Sequence, residues 1–274
     1  MAQSKCAYKR VLLKLSGESL AGTERFGVSG DALKRLAGEV RAVHRLGVEL
    51  AIVVGGGNIL RGSAFAANGD FPAATAHYMG MLATVMNALA LQEALEASGV
   101  PARVLSALPV NSVCETFYRL RCLHHLEKGR VVILAGGTGR PFVTTDTAAA
   151  VGAAEIDAEA VVKATQVDGV YSADPKKDPK AKLYDRLTYA QVINDRLAVM
   201  DLSAVELCER CGIRIVVFNA HKAGNLKRVV MGEAVGTTVG ETSKRRNAET
   251  PKSKIRRGER RKEREKVAGG RGWN

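Results

Sequence analysis

Aromatic residues make up only 5% of this 274-residue sequence, and there is a single Trp. Ala, Val, Leu and Gly dominate instead, which argues against an all-β protein and for an α/β one. Cysteine is scarce too: five residues, an odd number, do not make a disulfide framework. Cys208 and Cys211 form a CxxC in ELCERCG, but no second CxxC and no His pair at zinc spacing accompanies it. They read as two small apolar residues near a helix end, and His124 and His125 in LRCLHHLEKG read as helix-surface residues, so no metal site is expected. No apolar run approaches the ~18 residues that a bilayer span needs. The opening MAQSKCAYKRVLLKLSGES turns strand-like early and lacks the uncharged apolar stretch and cleavage site of a secretory signal. A cytoplasmic protein with no membrane partner is the expectation.

Negative charge is in short supply, with 41 Lys and Arg against 28 Asp and Glu, a net +13. The imbalance is concentrated after Gly240, where residues 241–274 hold 13 Lys or Arg and 5 Glu. KSKIRRGERRKEREK has almost no apolar content and cannot bury a core, so this tail is expected to be disordered or a solvated, transient helix. Contact with nucleic acid is one reading of it and solubility the other; no interleaved aromatics favour base stacking. Residues 1–240, with hydrophobic residues enough for a sizeable core, are expected to form the folded domain.

Within that domain apolar runs alternate with helical segments in the rhythm of βα units, without an internal repeat. Strands are expected at Arg10 to Leu15, Val48 to Val54, Ala102 to Ala107, Arg130 to Gly136, Ala160 to Thr165 and Ile213 to Asn219. Several are continuous in Val, Ile and Leu, as in a parallel sheet covered on both faces. Ser29 is placed to cap a helix from Asp31 to Leu46, stopped by Gly47. A long helix from about Tyr78 to Ser98 is apolar nearly all round, which suits either a core helix or a subunit interface. The charged segment from Asp168 to Tyr189, with two prolines, reads as loops flanking a nucleotide site rather than a linker.

Three predicted strands end in glycine: KLSGES, VVGGGNILRG and AGGTGRPFVTTD. In a parallel sheet these ends share one edge, where ligands bind. Glycine lets backbone N–H groups approach an anion, and a following helix N-terminus adds positive potential. By itself AGGTGRPFVTTDTAAA is open to three uses: a structural turn, a dinucleotide site or a phosphate cradle. Three such loops, with Lys14 in the first and Arg61 in the second, favour polyphosphate. No GxxxxGK[ST] occurs, no GxGxxG opens a helix with an acidic residue about 20 residues on, and no HRD or DFG signature is found.

Taken in order, KLSGES, GGGNxxRG, HYMGMLATVMN, AGGTGxPFVTTDTAA and KATxVDGVYSADP resemble the motifs of bacterial uridylate (UMP) kinases, within the amino-acid kinase superfamily, from about Tyr8 to Gly240. The resemblance implies a three-layer αβα sandwich around a mostly parallel sheet. It implies transfer of the γ-phosphoryl group of ATP to UMP in pyrimidine nucleotide biosynthesis, with Mg2+ accompanying ATP rather than sitting in a protein cage. It also implies a homohexamer activated by GTP and inhibited by UTP. Matched position by position, Lys14, Leu15, Ser16, Gly17, Gly57, Arg61, Thr165, Tyr171 and Asp174 would contact ATP. Gly56, His77, Thr138, Gly139, Arg140, Pro141, Phe142, Val143, Thr144 and Thr145 would contact UMP. Lys14, Lys163 and Asp146 would carry catalytic or organising charge, and Gly22, Thr23, Glu24, Arg25, Phe26 and Gly27 would match the segment associated with GTP activation.

The chemistry is consistent on its own terms. A nucleoside monophosphate has a second pKa near ~6, so at neutral pH its attacking oxygen is already largely ionised and needs no general base. Cations and loop N–H groups are what the reaction requires. Plainer roles stay open for Lys14 (a solvated strand-end lysine), for Asp146 (an acid favoured at a helix N-terminus) and for Asp168 and Asp174 (turn residues). Two positions depart from the family pattern. His77 stands where an aspartate is usual, and Arg140 where asparagine is usual. Rival readings are a kinase of the same superfamily acting on a carboxylate or carbamate, and a nucleotide-sensing or RNA-binding regulator.

Overall fold

The computed structural model describes residues 6–24, 26–60, 72–175 and 177–240. Their order is β1 (Arg10–Leu15), α1 (Glu18–Ala21), α2 (Gly30–His44), β2 (Glu49–Val54), α3 (Ala73–Ala97), β3 (Ala102–Ser106), β4 (Glu115–Thr116) and α4 (Arg119–Glu127). There follow β5 (Val131–Ala135), α5 (Thr145–Glu155), β6 (Ala160–Thr165), β7 (Arg186–Leu187), α6 (Tyr189–Asn194), α7 (Leu202–Cys211), β8 (Arg214–Asn219), α8 (Asn225–Val230) and β9 (Thr237–Val239). One sheet runs in the order β4-β3-β5-β2-β1-β6-β8-β9-β7. From β4 through β8 every pairing is parallel; β9 turns antiparallel to β8, and β7 pairs with β9 in parallel. The fold is therefore the expected helix-flanked, mostly parallel sheet.

The layers follow from the two-residue period of the strands. Along β1, Val11, Leu13 and Leu15 pack with Val40 and Val43 of α2, Leu91 and Leu95 of α3 and Val229 of α8. Leu12 enters the opposite core with Ala149 and Ala153 of α5, Val205 and Cys208 of α7 and Leu126 of α4. These leucines are essentially inaccessible, each such burial being worth about 1.5–3 kcal/mol. Both faces of the central strands are thus covered, as their unbroken apolar runs require.

Boundaries depart modestly from the sequence expectation. Helix α2 has Ser29 as N-cap, its hydroxyl accepting from Ala32 N at 3.4 Å, but it ends at His44. Helix α3 begins five residues earlier than Tyr78, at Ala73, directly after Pro72. One reading is overturned: His125 is not a surface residue. It is buried, its Nε2 lying 3.1 Å from Glu115 Oε1 and its Nδ1 2.9 Å from Arg130 Nη1, while His124 is exposed as expected. The helix period places His125 beside buried Cys122 and Leu126, where an imidazole keeps its hydrogen-bond partners only if the edge strand β4 supplies one. In the CxxC, Cys208 is buried and Cys211 exposed, next to Gly212, which ends α7 in a left-handed conformation.

Candidate active site

The carboxyl ends of β1, β2, β5, β6 and β8 lie along one edge of the sheet because these strands are parallel neighbours. The loop after each strand therefore opens on the same side. A carbon added to Gly55 would stand 3.1 Å from the Gly17 nitrogen and 3.6 Å from Thr145 Oγ1, so the loops after β1, β2 and β5 meet at one point. Gly56 is packed tightly on α3: an added carbon there would lie 2.6 Å from Gly80 O and 2.9 Å from Ala83 Cβ. No side chain fits, and backbone N–H groups are what this loop can present.

Lys14 and Lys163 stand side by side, paired across β1 and β6 in register. Each lies two residues after an inward-facing neighbour, Leu12 or Val161, so both side chains turn to the α5 face. Asp146, in the first turn of α5, fits between them. Its Oδ2 accepts from Lys163 Nζ at 2.9 Å; its Oδ1 faces Lys14 Nζ at 3.0 Å as an ion pair whose angles fall short of a hydrogen bond. The side chains of Lys14, Asp146 and Lys163 are only 12%, 13% and 17% exposed. Burial pushes the Asp146 carboxyl up, but the Lys14 and Lys163 ammoniums outweigh it and hold it below the usual carboxylate range. Burial lowers the Lys163 ammonium, with Asp146 opposing and Lys14 assisting. Lys163 is further oriented by donating to Val199 O at 2.6 Å.

The glycine loop before α5 shows why its residue types are needed. Gly136, Gly137 and Gly139 have φ of 75°, 58° and 73°, and an atom added at Gly136 would meet Leu108 N and Ser106 Oγ at 2.9 Å. Thr138 and Arg140 share weak 3.4 Å contacts, and Arg140, Phe142 and Val143 are exposed beside half-buried Pro141. Phe142 adopts φ 66° although it is not glycine, and its ring lies 5.1 Å from the His77 ring at 56°. The loop ends in Thr144, whose hydroxyl caps α5 by accepting from Asp146 N and Thr147 N and donates to Asp201 Oδ2. A polar, partly strained loop is thereby held over the helix terminus that carries Asp146.

Other expected site residues fall along the same edge. Leu15 is buried, Ser16 Oγ lies 3.1 Å from Ser19 Oγ, and Gly57 abuts Gly17. The Thr165 hydroxyl is occupied with Val167 O and Phe218 O, which fixes the turn leaving β6. Tyr171 forms an isolated bridge with Leu183, and Asp174, exposed, accepts at its carbonyl from Lys177 N and Asp178 N at 2.9 Å. Asp168 is held by Lys222 and Asn219, whose hydrogen bonds lower its carboxyl below the ordinary range. Of the turn between α1 and α2, Gly22, Thr23, Glu24, Phe26 and Gly27 are described, with Phe26 71% exposed; Arg25 and Arg61 lie outside the described residues. Among the described residues no three His, Cys, Asp or Glu side chains group as a metal cage. A cavity of about 510 Å³ lies elsewhere, against Gln92, Arg103, Asn111, Glu115 and Tyr118.

Sequence reading passed over three residues that the structure brings into this region: Asp201, Asn58 and Asn87. Asn87 had a visible signal, an amide inside a helix apolar nearly all round. Asp201 had none, because its partner Thr144 lies in a different βα unit.

Comparison with known proteins gives concordant matches. A family model described as the amino acid kinase family matches residues 9–219. The uridylate kinase PUMPKIN, chloroplastic, of Arabidopsis thaliana is 53% identical over 235 residues, covering 86% of this chain and 69% of that protein. The crystal structure of UMP kinase from Bacillus anthracis superposes with a TM-score of 0.83 at 39% identity, covering 86% of this chain and 97% of that one. That of UMP kinase from Ureaplasma parvum gives 0.80 at 34% identity, with 85% and 99% covered.

Proposed function

This chain belongs to the uridylate (UMP) kinases of the amino acid kinase family, and on that premise we propose that it transfers the γ-phosphoryl group of ATP to UMP, giving UDP and ADP. The observation that carries the reading is the Lys14–Asp146–Lys163 array at the meeting point of three glycine loops. Two buried ammoniums with one carboxylate between them leave net positive charge where phosphates would converge. The acceptor oxygen is already ionised, so the protein's task is to hold two anions in line and stabilise the migrating charge. Asp146 aims both ammoniums and keeps them from repelling each other before nucleotides arrive.

On the donor side, Lys14, Leu15, Ser16, Gly17, Gly57 and Arg61 hold the ATP phosphates, and Thr165, Tyr171 and Asp174 frame the rest of the nucleotide. On the acceptor side, Gly56, His77 and residues 138–145 hold UMP. The His77 ring, tilted against the Phe142 ring at 5.1 Å, stands beside the 138–145 loop, which supports that assignment; an imidazole nitrogen there would face a ribose hydroxyl in place of a fixed anion. In this structure the Asp146 carboxylate is paired with the two lysines. Mg2+ is taken to enter with ATP, as part of the substrate, as the resemblance to UMP kinases implies.

A coupled assay offering ATP with each nucleoside monophosphate in turn tests the proposal. Turnover is expected with UMP and not with purine monophosphates. Absence of UMP turnover together with tight RNA binding would favour the regulator, and turnover of a small carboxylate or carbamate the other kinase.

Regulation by GTP through residues 22–27 and by UTP belongs to the same proposal, as does a homohexamer. Exposed Tyr78, Leu82 and Met86, spaced four residues apart on α3, form a bare apolar stripe that suits a subunit contact. Light scattering reads the assembly directly. Among the described residues no helix is long and apolar enough to cross a membrane. We place the protein in the cytoplasm; import of a fluorescent fusion into a plastid would overturn that. The basic tail lies outside the described residues; nucleic-acid contact is one role proposed for it and solubility the other. Deleting residues 244–274 is expected to leave kcat for UMP within about twofold of the full chain while weakening retention on RNA at low salt. Loss of catalysis on deletion would show that the tail serves the active site.

A further inference from the structure

Behind the phosphate loops lies a pair of side chains that the catalytic scheme does not use. Asn58, at the end of the Gly55–Gly57 loop, and Asn87, in the middle of α3, are 1% and 0% exposed. Their carboxamides face each other and bond reciprocally: Asn87 Nδ2 donates to Asn58 Oδ1 at 2.6 Å, and Asn58 Nδ2 donates to Asn87 Oδ1 at 3.0 Å. The second donor of each amide reaches a backbone carbonyl. Asn87 gives its to Gly55 O at 2.7 Å, and Asn58 gives its to Gly27 O at 2.6 Å. All four N–H groups of the pair are thereby used. Gly27 N returns a bond to Asn58 O at 2.9 Å, closing a two-point link to the turn between α1 and α2. On the remaining side Gly17 presses against the pair: a carbon added there would stand 2.4 Å from Asn58 Oδ1.

An apolar pair would fill the same volume with less demand on geometry. An amide pair instead fixes direction, because each unmatched donor or acceptor in a buried site carries its full desolvation penalty. Here the fixed directions are those of the Gly55 and Gly27 carbonyls, while Gly17 is held against the pair by close packing. We propose that Asn58 and Asn87 are positioning residues for phosphoryl transfer: they set the spacing between the β1 and β2 phosphate loops and tie both to the turn at Gly27. The proposal rests on the kinase reading above and concerns the loops' alignment, not contact with nucleotide.

The test compares Asn58→Asp, Asn87→Asp and the Asn58→Ala/Asn87→Ala double variant with the wild-type full chain. Each Asp replacement keeps the shape while turning a donor into an oxygen that opposes a carbonyl. The double variant removes both amides together, so neither is left facing an unpaired partner, and it decides the matter if the Asp variants do not fold. The expected result, for every variant with a cooperative thermal transition, is kcat lowered by about 10- to 100-fold with KM for UMP and for ATP changed by less than about threefold, since misplaced loops lose alignment more than affinity. A pair that only packs would lower the transition temperature and leave kcat per folded molecule unchanged, and that outcome overturns the proposal. Wild-type turnover of UMP separates the two levels: its absence refutes the kinase reading itself, whereas its presence beside fully active variants refutes only the role given to this pair.

Discussion

Lys14→Ala is expected to lower kcat for UMP phosphorylation by about 100- to 1,000-fold, the loss seen when one preorganised donor to developing charge is removed. Lys14 is mostly buried, in register with Lys163, and its ammonium is held by Asp146 at 3.0 Å. The fold should survive, because Asp146 keeps its 2.9 Å partner in Lys163. Steady-state kinetics at saturating ATP and UMP, with a thermal transition measured on the same sample, check both halves. Lys14→Arg restores charge but not the compact ammonium geometry, and should recover only part of the rate. A Lys14→Ala enzyme turning over within about threefold of wild type would remove Lys14 from the donor site.

Asp146→Ala carries the second large effect, on stability as well as rate. Removing the carboxylate leaves the two neighbouring ammoniums buried without their shared counter-ion, a situation that costs about 3 kcal/mol or more. Chemical denaturation at neutral pH measures it. The pH dependence supplies a sharper check. Because the lysines hold the Asp146 carboxyl below its ordinary value, its contribution is present above the unfolded carboxylate range near ~4 and is lost as pH falls through the depressed native value. The stability gap between wild type and Asp146→Ala should therefore be full at pH 7 and shrink on acidification below that range. An unchanged gap in strong acid would show that the ion-pair array is not its source.

Much of this was legible in one dimension. Unbroken Val and Ile runs identified covered strands, Ser29 its helix start, and the three glycine loops a phosphate edge, because period, caps and turn chemistry are local properties that neighbouring residues express. The motif order in AGGTGxPFVTTDTAA and KATxVDGVYSADP was specific enough to identify the family. His125 shows the limit. Its helix gave no sign of which side β4 would cover, so a buried, partnered imidazole was read as a surface one.

The sequence by itself determined the kinds of element, their order and the chemistry available at their ends. Only the tertiary structure decided which ends became neighbours. Lys14 and Lys163 lie in distant βα units, and nothing periodic in either unit says that β1 and β6 pair in register, with the first turn of α5 set across them. Asn58 and Asn87 likewise become one polar unit only when α3 packs behind the Gly55 loop. Side-by-side strand order and buried hydrogen-bond partners arise from long-range packing of the sheet and its helices, and a local pattern cannot express them.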